Sequence, residues 1–190
     1  MFHPCHHARI TPDKAAYVMA GSGETVSYRQ LDERSNQGAH LLRNLALKRG
    51  DSIALMMDNN ARYFEICFAA QRSGLLFTAM SSRLSMQEAQ YILDDCAAKV
   101  FIVSSSLAAQ AAALLGHNPA LQERYSVGAD LPGHQRWESA IADLPSQPLA
   151  DESAGRDMLY SSGTTGRPKG VKTELLDERS EERRVGKECA

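Results

Sequence analysis

The sequence predicts an α/β fold, a mainly parallel sheet with flanking helices. Short apolar runs alternate with amphipathic stretches in the order strand, helix, strand, helix, strand, helix. Parallel neighbours need a crossover long enough to hold a helix, so this alternation favours parallel pairing. Two Ser-x-x-Gln/Glu capping boxes, Ser27–Gln30 and Ser85–Glu88, mark helix starts. The 190 residues are 43% apolar, which permits a real core in one sizeable domain or a little more and excludes a disordered tail.

Taken in order, Ala15–Ala20 reads as a strand, residues 21–24 as a tight turn, and Thr25–Ser27 as the returning strand. A helix opened by Ser27 carries Leu31, Ala39, Leu42 and Leu45 at helical spacing, and Gly50-Asp51 ends the unit. Ser52–Met57 is a buried strand. Asn60 is the expected N-cap of a helix with Phe64, Cys67 and Phe68 on one face, stopped by Gly74. Leu75–Met80 is the next strand, and the helix after Ser85 runs through Ile92 and Leu93. Val100–Val103 is a strand and Leu107–Leu115 a helix. Residues 116–156, rich in Pro, Gly, Asp and Gln, read as an irregular connection around a short helix near Trp137–Asp143. Asp157–Ser161 is the strand that follows.

The charge balance, 21 basic against 23 acidic residues, has no basic block ahead of the C-terminal tail. Nucleic acid and anionic membranes are therefore not expected partners. No apolar run reaches membrane-spanning length, and the first residues lack a signal-peptide layout, so the expected location is cytoplasmic. The four cysteines show no paired spacing, and Cys67 and Cys96 read as small buried hydrophobes.

The informative stretch is Met158-Leu-Tyr-Ser-Ser-Gly-Thr-Thr-Gly-Arg-Pro-Lys-Gly-Val171. An apolar strand ends at Tyr160, and a loop with four hydroxyls, three glycines and one lysine follows. Glycines let backbone N–H groups approach phosphate oxygens, hydroxyls add neutral donors, and Lys169 adds positive charge. The candidate oligophosphate ligands are Ser161, Ser162, Gly163, Thr164, Thr165, Gly166, Lys169 and Gly170. It is not a Walker A loop, which needs Gly-Lys-Ser/Thr opening a helix; here Lys169 lies between Pro168 and Gly170.

The order of these residues resembles the signature loop of the AMP-binding superfamily, which holds acyl- and aryl-CoA synthetases, adenylation domains and firefly-type luciferases. The likeness extends upstream. His7–Ala16 is similar to the family's opening segment and Val26–Asn36 to its first long helix, and Arg49–Leu55 and Gln71–Gly74 sit in family-like places. Gly170-Val-Lys-Thr173 is closer to fatty-acyl-CoA synthetases than to members with a Thr-His continuation.

The resemblance implies that residues 1–173 are the incomplete N-terminal part of the large domain of an adenylate-forming enzyme. Such an enzyme joins a carboxylic acid to ATP and passes the acyl group to coenzyme A, with Mg²⁺ helping to offset charge. The loop would hold the β- and γ-phosphates. No catalytic residue and no metal site is assigned within this stretch. The aromatic–Gly–Thr–Glu motif, the ribose-binding aspartate, the hinge and the C-terminal domain with its lysine are absent, so this stretch by itself is expected to be inactive. An adenylation domain loading a carrier protein, and a non-catalytic nucleotide-binding or interaction module, are the alternatives. Residues 174–178 are unassigned. Arg179–Cys189 resembles the translation of a common sequencing adapter, from which Ala190 departs, so residues 179–190 are read as non-natural.

Other residues have plainer expectations. His3, Cys5, His6 and His7 read as a partly ordered leader rather than a metal site. Asp94-Asp95 reads as a solvated helix end, His40 as a surface or packing residue, and Trp137 as a local packing anchor.

Overall fold

A computed structural model describes residues 3–118, 120–161 and 168–175. It opens with helix α1 (Pro4–Ile10), the hairpin of β1 (Ala15–Val18) and β2 (Thr25–Ser27), and the long α2 (Tyr28–Asn44). The αβ alternation follows as β3 (Ser52–Met56), α3 (Tyr63–Arg72), β4 (Leu76–Met80), α4 (Met86–Asp95) and β5 (Ala98–Ser104). A 3₁₀ turn leads to α5 (Ala108–Ala113), β6 (Glu123–Val127), β7 (Gln135–Arg136) and α6 (Trp137–Ile141). The last elements are β8 (Arg156–Asp157), β9 (Leu159–Ser161) and β10 (Lys169–Val171).

Among the described residues, six strands form one sheet in the order β7-β6-β5-β3-β4-β8, and every neighbouring pair is parallel. The expected α/β class is what the chain adopts. Central strands covered on both faces must be apolar throughout, and all five residues of β3 are buried. Ile53 and Leu55 of β3, with Val100 and Ile102 of β5, meet α2, α3 and α6 on one face. Ala54, Met56, Phe101 and Val103 meet α4 and α5 on the other. Both capping boxes form. Cys67 and Cys96 are buried as read, and burial pushes the Cys67 thiol up to about 12.

Several expectations need correction. The stretch 116–156 is not merely irregular: β6 lies within it and pairs with β5 from Val100↔Glu123 to Ser104↔Val127. Its sequence Glu-Arg-Tyr-Ser-Val hides the strand because only its second half is fully buried. Asn60 does not cap α3. The cap residue is Arg62, and the Asn60 side chain instead accepts from the Arg62 N–H at 2.9 Å in a local turn. Phe64 leaves the buried face and is 49% exposed, while Ile66, Ala69 and Ala70 form it with Cys67. Asp157–Ser161 divides into β8, in the large sheet, and β9, which among the described residues pairs only with β10.

The leader is also more ordered than expected. His3 caps α1 through its ring, which accepts from the Cys5 N–H at 3.4 Å. The ring sits edge-on to Phe68, with 5.2 Å between centroids. Burial, reinforced by the charges of Arg72 and Arg9, pushes the His3 pKa from 6.5 down to about 3. Between those values the unfolded chain holds a proton that the folded chain rejects. Stability therefore rises with pH through this window, is fully present above 6.5, and is lost as pH falls toward 3. A His3→Gln variant should show a flatter unfolding midpoint between about pH 4 and 6. Equal slopes in the two proteins would contradict the burial of a neutral ring.

Side chains of α2 hold the connection that leads to β8. Asn36 donates to the Ser146 carbonyl at 2.8 Å, Gln37 to those of Ala142 and Leu144, and His40 Nε2 meets the Gln147 carbonyl at 3.0 Å. His40 is thus a packing residue. Arg43 pairs with Asp151. Trp137 is fully buried and edge-on to Tyr125, anchoring α6 beneath this connection.

Gly155 then turns the chain against β4. Its N–H donates to the Gln71 carbonyl at 2.7 Å, and a Cβ there would lie 2.3 Å from the Leu75 carbonyl oxygen. Backbone cannot yield as a side chain can, so Gly155→Ala must displace β8. It should lower stability by about 1–3 kcal/mol, read from the midpoint of denaturant unfolding. An unchanged midpoint would mean that β8 is not seated as described.

Candidate functional site

The loop motif grows out of the sheet's β4 edge. β8 pairs parallel to β4 through Leu76↔Arg156 and Phe77↔Asp157, and the Met158 N–H donates to the Phe77 carbonyl at 2.9 Å. The chain then leaves the large sheet and forms the antiparallel pair β9–β10, with Lys169 opposite Ser161, Gly170 opposite Tyr160 and Val171 opposite Leu159.

Strand alternation gives this hairpin two faces. Met158, Tyr160 and Gly170 share the inner face: Met158 is buried in the core beside α4, and Tyr160 packs against the same cluster. The outer face carries Leu159, Ser161, Lys169 and Val171, all exposed, with Leu159 and Val171 at 57%. Ser161 and Lys169 are cross-strand partners, so their side chains stand on one face with Cβ atoms about 5 Å apart. A hydroxyl beside an ammonium suits anionic oxygen, since one donates a neutral hydrogen bond and the other a charged one.

Of the expected ligands, the structure therefore brings Ser161 and Lys169 together on the outer face. It sets Gly170 on the inner one, beneath Tyr160. Ser162, Gly163, Thr164, Thr165 and Gly166 lie outside the described residues.

Two other polar places are less suited to phosphate. β3 connects toward β4 and β5 toward β6, so their carboxyl ends frame the topological switch point of the sheet, where α/β folds often bind ligands. Asp58 sits there. It accepts from Ser104 and Ser106 at 2.6 Å each and from Asn60 at 3.0 Å. Burial alone would raise its pKa; these hydrogen bonds outweigh it and hold the carboxyl below its ordinary value. The cluster presents negative charge, already bonded within itself. An open cleft of about 540 Å³ lies between α4 and Pro168, lined by Ser85, Gln87, Glu88, Gln90, Tyr91 and Asp94. Its carboxylates likewise oppose a polyanion.

Asp94 and Asp95 are exposed at the end of α4, as expected, and each also accepts a hydrogen bond. Asp94 accepts from Asn118, and Asp95 accepts from Tyr160 at 2.5 Å. The N-terminal histidines His7 and His3 go to different partners, with His7 stacked on Tyr28 at 4.7 Å and His3 edge-on to Phe68. Among the described residues no three His, Cys, Asp or Glu side chains converge as a metal site would require. No helix among them is long and apolar enough to cross a membrane.

Comparison with known proteins bears on the family and the fold. The chain is 32% identical over 168 residues to the long-chain-fatty-acid–CoA ligase FadD13 of Mycobacterium tuberculosis, covering 86% of this chain and 32% of that protein. It is 28% identical to the fatty acid–[acyl-carrier-protein] ligase ScoC of Streptomyces coeruleorubidus, covering 87% of this chain and 31% of that one. It thus spans about a third of the length of these relatives. The crystal structure of the anthranilate CoA ligase AuaEII with anthranoyl-AMP superposes with a TM-score of 0.79 at 24% identity, over 88% of this chain and 32% of that one; this is a likeness of fold. The sequence profile of the AMP-binding enzymes matches residues 5–175, which take in every strand of the large sheet and the whole hairpin. The chain belongs to the AMP-binding enzyme family.

Proposed function

We propose that the β9–β10 hairpin holds the β- and γ-phosphates of ATP in an AMP-forming acid–CoA ligase whose acid is a fatty acid. The observation that carries this is the pairing of Ser161 with Lys169 on the exposed face of a hairpin built from the family's signature loop. Ser162, Gly163, Thr164, Thr165, Gly166 and Gly170 complete the proposed loop. The name of the relative at 32% identity supports a fatty acid over an aromatic one.

The chemistry is a problem of charge. A carboxylate oxygen attacks the α-phosphorus of ATP, the bond to the bridging oxygen breaks, and pyrophosphate leaves with the electron pair. Lys169 offsets the negative charge that builds on the leaving group, and Ser161 orients its oxygens. Mg²⁺ bound to the nucleotide would share that neutralisation. The thiol of coenzyme A then displaces AMP from the acyl-adenylate. The relatives are about three times longer, so the overall reaction is assigned to a protein of that length. Residues 179–190 have no part in it, and its expected place is the cytoplasm.

A second reading has one observation in its favour, the likeness to a ligase that loads an acyl carrier protein. The two separate by product. The full-length protein, given ATP, Mg²⁺, a series of fatty acids and coenzyme A, should release AMP and form acyl-CoA, read by mass spectrometry. Thioester formed only on an added carrier protein would favour the second reading. No acid-dependent AMP with either acceptor would sink both and leave a binding module.

A further inference from the structure

The β9–β10 hairpin has three residues in each strand and, among the described residues, its strands pair only with each other. Two-stranded hairpins are marginal alone, so its orientation must come from contacts made by its inner face. Two are visible. One is the Met158 N–H bond to the Phe77 carbonyl at the hairpin's root. The other lies further out, where the Tyr160 hydroxyl donates to Asp95 Oδ2 at 2.5 Å, at the C-terminal end of α4. Asp95 also accepts from the Tyr91 hydroxyl at 3.4 Å, so the carboxylate is held from its own helix as well.

The ring of Tyr160 has room for this only because its cross-strand partner is glycine. A Cβ at Gly170 would lie 2.9 Å from Tyr160 Cζ, 3.0 Å from its hydroxyl oxygen and 2.7 Å from Met158 Cε. On the inner face, then, Gly170 makes space, Tyr160 crosses it, and Asp95 receives the hydroxyl.

We propose that Tyr160 and Asp95 form a positioning pair that sets the orientation of the β9–β10 hairpin, and through it of Ser161 and Lys169. Its use in catalysis rests on the phosphate-binding role proposed above for those two residues. Neither member touches a ligand on the outer face. Both act by fixing where the strand carrying Ser161 points. Tyr160 remains a protonated donor at neutral pH, because burial, followed by the bond to the Asp95 carboxylate, raises its pKa.

The test is a double-mutant cycle of Tyr160→Phe, Asp95→Ala and the two combined, in the full-length protein without ligand. Hydrogen exchange of the amides at 159–161 and 169–171 is the first readout. Each single variant should speed exchange there on the order of tenfold, the size expected for losing one hydrogen bond to a charged acceptor. The double variant should be no faster than the singles, and the amides of β3 and β5 should be unchanged. The second readout is adenylation, where kcat should fall by a similar factor with little change in KM for the acid. Unchanged hairpin exchange, or additive effects in the double variant, would overturn the pair. Coupled exchange, with adenylation slowed by Lys169→Ala as well as by the pair variants, would support both proposals. Should Lys169→Ala leave adenylation untouched while exchange remains coupled, the phosphate assignment fails and the positioning pair stands.

Discussion

Replacing Lys169 with alanine should slow acyl-adenylate formation on the order of 10²- to 10³-fold, the loss usual when one preorganised group facing developing charge is removed. Lys169 opens β10 on the exposed face, opposite Ser161, so removing its side chain takes nothing from the core. The unfolding midpoint should therefore hold. The loss should fall mainly on kcat, because charge on the leaving pyrophosphate is greatest in the transition state. Lys169→Arg should restore part of the rate, since it keeps the charge and changes the donor geometry. Thioester formation from preformed acyl-adenylate should be nearly unaffected, because the pyrophosphate has already gone. Thr165→Ala should act in the same direction. Equal losses in both half-reactions would point to a general disturbance of the fold instead.

Arg72→Ala should cost about 3–5 kcal/mol, the range for removing one partner of a buried ion pair. That is a large share of the 5–15 kcal/mol that holds a typical domain together. Arg72 is 1% exposed. Its Nη1 donates to Asn36 Oδ1 at 2.7 Å and to Glu152 Oε1 at 3.4 Å, and its Nη2 donates to Asp32. One side chain of α3 thus ties α2 to the segment that delivers Gly155 and β8. Its loss would remove the buried cation that Asp32 and Glu152 share. Arg43→Ala is the matched control: the Arg43–Asp151 pair is partly solvated, with an exposed carboxylate, and its loss should cost less than about 1 kcal/mol. Chemical denaturation of the two variants should separate them clearly. Similar midpoints would mean that the Arg72 network does not hold this connection.

The parts of the fold that were legible in the sequence are those where local chemistry and burial agree. β3 and β5 are apolar because helices cover both faces, and Ser27 and Ser85 make the capping boxes that their spacing with Gln30 and Glu88 implies. Where packing overrides local pattern, the sequence misleads. β6 is half polar, so its place in the sheet depends on β5 alongside it. Phe64 fits an apolar face by spacing, yet the face that meets α2 is taken by smaller side chains. Likewise Asn60 has the chemistry of a cap but closes a turn two residues early.

The candidate site divides in the same way. Residue types and order in the loop pointed to phosphate, and the structure adds that Ser161 and Lys169 share a face. Asp95 was invisible as a partner because it lies 65 positions from Tyr160, joined only by the folding of α4 against the hairpin. Tyr160 carries the clue in hindsight. An aromatic opposite Gly170 on so short a hairpin needs somewhere to reach.

Acid-dependent exchange of labelled pyrophosphate into ATP by the full-length protein tests the central claim most directly, because it isolates the step in which the hairpin would act. The account predicts exchange that requires a fatty acid and Mg²⁺, needs no coenzyme A, and falls on the order of 10²-fold or more in Lys169→Ala. Exchange that is absent with every carboxylic acid, or that persists at full rate in Lys169→Ala, would contradict it.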